Sequence, residues 1–239
     1  MTIPTGHTVK SFDDDLRNLR SMIGRMGGVA RQQLNDSLTA LLTGDTELAD
    51  RVIAGDGKLD DLEQEAESYA ISVIARRAPL ANDLREVIAA LKIGSIIERV
   101  GDYAKNSAKR VASVAVNSDR DVHPGIAEMG RMCSDLFDDA LRAFAQRDGA
   151  LARKVAEGDE AIDDYYESLF QALMTNIARD PSTTSQGAHL IFIIKNLERV
   201  GDHSTNIAEL VHYSATGTQI PPRPKGGDAT QLTLNDDED

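Results

Sequence analysis

Glu98, Asp102 and Asn106 stand at successive positions four residues apart, and Glu198, Asp202 and Asn206 repeat the same types at the same spacing. On a helix such positions lie one above another, so each set forms a single file of oxygen donors. Neighbouring carboxylates in a file repel each other by roughly 0.3 kcal/mol, and a bound cation relieves that repulsion. All-oxygen donors suit magnesium or manganese, and ferric iron as well, whereas zinc would normally recruit His or Cys. Asp56 with Asp60 and Asp159 with Asp163 have the same spacing near expected helix starts. Aspartate is favoured there against the macrodipole, so capping is their first reading and metal binding their second.

The files belong to a longer internal repeat. Glu98-Arg99-Val100-Gly101-Asp102 recurs as Glu198-Arg199-Val200-Gly201-Asp202. Gly55-Asp56 and Asp60-Asp61 return as Gly158-Asp159 and Asp163-Asp164, Asp36 as Asp139, Gly24-Arg25-Met26 as Gly130-Arg131-Met132, and Pro79 as Pro181. The offset drifts only across loops, which means two copies of one three-helix unit joined around Asn117 to Gly125. An acidic pair beside Arg99 or Arg199 also reads as a solvated face with local salt bridges. Its duplication, with glycine and asparagine kept in place, favours function. Gly101 and Gly201 cost the helix about 1 kcal/mol relative to Ala, and the missing side chain lets a neighbouring helix approach. Glu98 and Asp102 continue the line of Leu84, Ile88, Leu91 and Ser95, and Glu198 and Asp202 continue Ile191 and Ile194, so the carboxylates are expected over a groove.

The elements that must position these residues are helices. Only Pro79, Pro124 and Pro181 interrupt the body of the chain, and a proline inside a helix removes a hydrogen bond. The blocks between them are rich in Ala, Leu, Arg, Glu and Asp, without the aromatic and β-branched clusters of strands. Leu16, Leu19, Ile23 and Met26, then Leu34, Leu38 and Leu41, follow three- and four-residue steps, which predicts a first helix from about Ser11 to Thr43. Gly44-Asp45 stops it and caps a second that runs to about Ala78, kinked at Gly55 and Gly57. A third begins near Asn82 or Asp83 and ends near Val116. The expected architecture is all-α, two tandem three-helix bundles with six long helices. Residues 1–10 form a leader, 11–118 and 125–214 the repeats, 119–124 a linker, and 215–239 a disordered acidic tail.

Composition removes several function classes. Lys and Arg number 26 against 39 Asp and Glu, a net charge of −13, and aromatic residues make up 4% with no Trp. That argues against gripping nucleic acid by counterion release or base stacking. The lone Cys133 can form no internal disulfide and no cysteine-based metal site, which fits the cytoplasm. The longest apolar run, Leu190 to Ile194, is far short of a membrane span, and the first residues lack the apolar core of a signal peptide. No catalytic assembly emerges: His7, His123, His189, His203 and His212 make no convincing triad, and no phosphate-cradling glycine loop is present. His203 has Tyr103 as its counterpart and reads as a surface residue. A carboxylate-bridged dimetal oxidase needs two Glu-x-x-His motifs, and the chain offers one, Glu209 with His212, without a partner in the first repeat. A helical adaptor that binds no metal is the other alternative.

The order Arg76-Arg77-Ala78-Pro79, Asp83-Leu84-Arg85, then Glu98 to Asp102 with Asn106, repeated as Glu198 to Asp202 with Asn206, resembles the PhoU family. Met26-Gly27-Gly28, Gln32-Gln33-Leu34 and Val52-Ile53-Ala54-Gly55-Asp56 extend the resemblance, which covers roughly Phe12 to Tyr213. It implies a cytoplasmic regulator of phosphate homeostasis that represses phosphate-starvation genes, and in some members phosphate uptake, when phosphate is plentiful. The implied partners are the ATPase subunit of the high-affinity phosphate importer and the sensor histidine kinase, with membrane association only through them. A homodimer is the expected assembly. The resemblance also implies iron, magnesium or manganese on Glu98, Asp102, Glu198 and Asp202, with Asn106 and Asn206 as secondary ligands. Ser182-Thr183-Thr184-Ser185 stands where the first repeat has its Asp-Leu-Arg segment, so a property of that segment belongs to the first repeat only.

Overall fold

A computed structural model describes residues 5–115 and 123–221, and these are almost entirely helical. In chain order they form α1 (Thr5–Thr43), α2 (Thr46–Ala54), α3 (Gly57–Arg77), α4 (Asn82–Ala108), α5 (Val111–Ala115), α6 (His123–Gln146), α7 (Gly149–Ala156), α8 (Glu160–Arg179), a 3-10 turn (Pro181–Thr183) and α9 (Thr184–Thr216). Six long helical paths result, three per repeat, because α2 with α3 and α7 with α8 each continue one path. The apolar stripe of α1, Leu16, Leu19, Ile23, Met26, Leu34, Leu38 and Leu41, is buried along its length. Gly44 takes a left-handed φ of 71°, and the Asp45 carboxylate accepts from the Leu48 N–H at 2.9 Å, which turns the chain into α2.

Several boundaries differ from the sequence reading. The second path breaks rather than kinks: α2 ends at Ala54 and α3 starts at Gly57. Gly55 and Gly57 flank Asp56 and lower helix propensity there, and the second path of the other repeat breaks at the matching place with Gly158 alone. The third path is interrupted rather than short: α4 stops at Ala108, Arg110 in the turn donates to His189 Nδ1 at 3.2 Å and lies over the Phe192 ring at 4.2 Å, and α5 is helical again to Ala115, near the expected end. α1 begins at Thr5 rather than near Ser11. α9 continues to Thr216, where Gly217 (φ 76°) ends it, and Ile220 packs against the core, so the first residues assigned to the tail are ordered. Most of the expected linker and acidic tail lies outside the described residues.

The repeats pack face to face through their first and third paths, and both pairings are antiparallel. Between α4 and α9, Asn196 donates to the Ser107 hydroxyl at 3.2 Å, Tyr103 stacks on His203, and Arg85 lies over the Tyr213 ring at 5.8 Å. Between α1 and α6, Arg31 pairs with Asp138 at 3.1 Å and Ser134 donates to Asn35 at 3.0 Å. Since Tyr103 and His203 are repeat counterparts, an approximate two-fold axis passes between them. Buried Glu86 on α4 ties the halves together, taking Arg20 from α1 and, at 3.1 Å, Arg147 from beyond α6. The Arg76-Arg77 pair closes the first repeat onto Asp15 of α1: Arg77 donates at 2.9 Å, Tyr69 donates at 3.0 Å, and Arg76 stands 3.6 Å away. Burial opposes ionisation of Asp15, yet these partners hold its carboxyl below the usual range.

Candidate functional site

Each acidic file lies on the third path of its repeat, where a glycine admits the second path. A side chain on Gly101 would overlap Leu59 of α3, and one on Gly201 would meet Ile162 of α8 at 3.3 Å. That close approach brings acids of α3 and α8 against the files, as the glycine positions predict. Asp60 and Glu63 come to Glu98, and Asp159 and Asp163 come to Asp202.

In the second repeat three carboxylates converge. Asp163, Glu198 and Asp202 each offer an oxygen, and these oxygens all lie within 4.8 Å of one another. Glu198 Oε1 accepts from Lys195 Nζ at 2.6 Å, while its Oε2 is buried and finds no hydrogen-bond partner among the described residues. The Lys195 ammonium itself lies over the Tyr166 ring at 5.1 Å. Burial raises the Asp202 carboxyl to about 6, helped by Glu198, Asp163 and Asp159 and opposed by Lys195. An oxygen-only donor set with an orphaned buried oxygen and surplus negative charge fits a hard cation.

In the first repeat a lysine bridges two carboxylates instead of pairing with one. Lys105 Nζ sits between Asp56 at 2.5 Å and Asp102 at 2.8 Å, and hydrogen bonds to Asp102 and then Asp56 hold its ammonium well above the usual lysine range. Its counterpart in the second repeat is Thr205. One turn away, burial pushes the Glu98 carboxyl up to about 7, with Asp102, Glu63 and Asp60 adding to the effect. Beneath this file Gln33 is buried with an unpartnered Oε1, 3.0 Å from where a Gly101 Cβ would be. Leu136 takes the equivalent place in the second repeat, 3.1 Å from a Cβ on Gly158.

Other expected ligands are placed differently. Asn106 and Asn206 are exposed, and the Asn206 amide lies 3.5 Å from His203 Nδ1, away from the carboxylates. Asp56 and Asp159 occupy N-cap positions without capping through their side chains, which corrects the first reading of both. Asp56 is drawn instead to Lys105. His203 is not a plain surface residue: it is half-buried, its ring stacks on Tyr103 with centroids 5.5 Å apart, and its Nε2 lies 3.1 Å from the Tyr103 hydroxyl. Burial, then Arg99 and Arg199, hold its pKa below the usual histidine value. His212 of the Glu-x-x-His match donates from Nδ1 to the Gly149 carbonyl at 2.9 Å, so it secures the start of α7.

The two lysines and Glu63 were missed by sequence reasoning. Lys105 stands three residues after Asp102 and Lys195 three before Glu198, spacings that place each beside its file. Glu63 follows Asp60 by one turn, a signal available in the sequence once α3 was known to face α4.

Comparison with known proteins identifies both repeats. The family model described as PhoU domain matches residues 23–111 and 126–211. A phosphate-specific transport system accessory protein PhoU homolog of Zymomonas mobilis is 48% identical over 223 residues, 93% of this chain and 94% of that protein. One from Caulobacter vibrioides is 42% identical over 224 residues, 92% of this chain and 97% of that protein. The crystal structure of PhoU from Pseudomonas aeruginosa has a TM-score of 0.83 at 34% identity, covering 87% of this chain and 100% of that one. That of the phosphate transport system regulatory protein PhoU from Streptococcus pneumoniae has a TM-score of 0.81 at 28% identity, covering 87% of this chain and 99% of that one.

Proposed function

The chain belongs to the PhoU family, and from that premise we propose that it is a phosphate-transport accessory protein that links the high-affinity phosphate importer to the phosphate-starvation response. It acts in the cytoplasm, as a homodimer, by binding rather than turnover. The importer's ATPase subunit and the sensor histidine kinase are its partners, and starvation genes and phosphate uptake are repressed while phosphate is plentiful. No described helix is long and apolar enough to cross a membrane; in this reading the chain meets the membrane through those partners. The observation that supports this reading most is the family match over both repeats, together with relatives of nearly the same length that are named for phosphate transport.

Asp163, Glu198 and Asp202 would hold a magnesium, manganese or iron cation, with Asp159 beside them. Glu98, Asp102 and Asp60 form the weaker counterpart, where Lys105 supplies positive charge. When bound, the cation supplies charge that neutralises and stiffens the face of the third path. The dimetal oxidase finds no support around His212: among the described residues the gathered carboxylates are Asp163, Glu198 and Asp202, and His212 is not one of their group. Deleting the gene in cells carrying a phosphate-starvation reporter tests the regulatory reading: reporter activity in rich phosphate is expected, and unchanged silence overturns it. Metal analysis of chain purified without chelator, with and without Glu198→Gln and Asp202→Asn, tests the cation site.

A further inference from the structure

The first repeat carries a groove whose lining differs in residue type from the matching positions of the second. Between α1, α3 and α4 lies a cavity of about 270 Å³, floored by Leu19, Ile23 and Ala90 and bordered by Glu63, Glu67 and Lys92. One repeat later Ala90, Gly94 and Ser95 are replaced by Leu190, Ile194 and Lys195, and Leu190 and Ile194 are buried in the core. The positions that line the cavity with small residues in one half carry large apolar ones in the other.

The cavity continues into an apolar edge. Leu84 and Ile88 of α4 are 37% and 39% exposed, Leu91 one turn on is half-buried at the cavity mouth, and Leu80 in the turn before α4 is 80% exposed. On α3, one turn beyond Glu67, Ile71 is 55% exposed. Single exposed apolar residues are ordinary, but a row at positions i, i+4 and i+7 leading into a cavity marks an interaction surface. The counterparts of Leu84 and Ile88 are Thr184 and Ala188, so the bundle does not need apolar residues at these places to pack. In the other direction the groove turns acidic: Glu67 and Glu63 border the mouth, and Asp60 and Glu98 lie beyond. Lys92 is the one cation among the lining residues.

We propose that the α3–α4 groove docks an amphipathic helix of a partner protein, whose apolar side chains seat on Leu84, Ile88 and the cavity and whose Lys or Arg residues reach Glu67, Glu63 and Asp60. An exposed apolar row at one-turn spacing along α4 can take the like-spaced apolar anchors of a helix laid beside it, and the one-sided charge sets the polarity of the bound helix. The proposal rests on the accessory-protein reading only for the existence of a partner. Its test uses the purified full chain and no reporter, so the two fail separately.

The probe is a fluorescein-labelled synthetic helix of about 16 residues, with Leu at one-turn spacing and three lysines at one end, followed by anisotropy in chelator. A control peptide carries glutamates for the lysines. The basic probe is expected to bind, and Ile88→Asp or, separately, Leu84→Asp weakens it about tenfold or more. Glu63→Gln with Glu67→Gln weakens it several-fold and flattens its salt dependence. All four positions are surface-accessible or rim residues, and circular dichroism confirms that each variant folds. Equal binding by the aspartate variants, or equal binding of the acidic control peptide, overturns the proposal. So does light scattering showing that Ile88→Asp converts a dimer of the chain to monomer, since the occupant would then be a second copy.

Discussion

Replacing Gly101 and Gly201 separately by alanine isolates what close helix approach contributes, because the same substitution gains the same helix propensity at both places, about 1 kcal/mol. The surroundings differ. At Gly101 the new methyl overlaps Leu59 Cδ2 and stands 3.0 Å from Gln33 Oε1, and Leu59 is only 1% exposed, so α3 or the Leu59 rotamer has to move. Overpacking of this kind costs about 1–3 kcal/mol, which outweighs the propensity gain and leaves Gly101→Ala destabilised by about 1 kcal/mol. At Gly201 the nearest atoms, both of Ile162, are 3.3 Å away and need yield only a few tenths of an ångström. There the two effects offset, and the net change is near zero or slightly stabilising. For a chain of this size about 1 kcal/mol moves Tm by about 2–4 °C. Thermal melts by circular dichroism in chelator should show Gly101→Ala lowered by that much and Gly201→Ala within about 1 °C of the parent. Adding Leu59→Ala to Gly101→Ala should cost less than Leu59→Ala costs alone, because the new methyl fills part of the space vacated. If both glycine variants melt together, or Gly101→Ala is the more stable, the account of Leu59 as the contact that requires glycine is wrong.

The metal-free chain should lose stability as pH rises from about 4 to 7, because Glu98 and Asp202 are raised from 4.5 to about 7 and from 3.8 to about 6. A raised carboxyl favours the protonated folded state, so its cost is absent below the unfolded pKa and complete above the folded one, about 1 kcal/mol for each after solvent screening. The difference in Tm from a Glu98→Gln/Asp202→Asn variant across this range checks it, and excess manganese at pH 7.5 should abolish that difference. Lys105→Met should destabilise the chelator-treated chain, and manganese should raise its Tm by more than it raises the parent's, since Asp56 and Asp102 lose their ammonium. Cys133 should resist thiol reagents until the chain unfolds: it is fully buried, its thiol donates to the Leu197 carbonyl at 3.2 Å, and burial with Glu198 nearby pushes it up to about 12.

What a single helix determines by itself could be read from the sequence. Apolar steps along α1, the punctuating prolines and the duplicated pentapeptide give the all-α repeat, and four-residue spacing gives the files, since both depend on geometry within one helix. What depends on register between helices could not. Whether Asp159 or Asp163 joins Glu198, and that Glu63 reaches Glu98, follow from how far α8 and α3 slide along α9 and α4. The stacking of His203 on Tyr103 needed the antiparallel pairing of α4 with α9, which repeat arithmetic does not contain. Capping failed at Asp56 and Asp159 because both take right-handed helical backbone angles, φ −60° with ψ −48° and φ −84° with ψ −16°, whereas Asp45, which does cap, is extended. The break at Gly55 was half visible: glycines announce weakness, but whether a helix bends or parts there is decided by what packs on either side.

A residue on a true symmetry axis of an oligomer meets its own copy, and so must be compatible with itself. Here the axis runs between Tyr103 and His203, two different residues, which is permitted only because one polypeptide contains both halves. Covalent joining thus frees every mirrored position to specialise. One half can set an ammonium between Asp56 and Asp102 and line a cavity with small residues, while the other gathers three carboxylates with a lysine at their edge. The result is a symmetric frame with two unlike sides, able to offer distinct surfaces to distinct visitors without a second gene product.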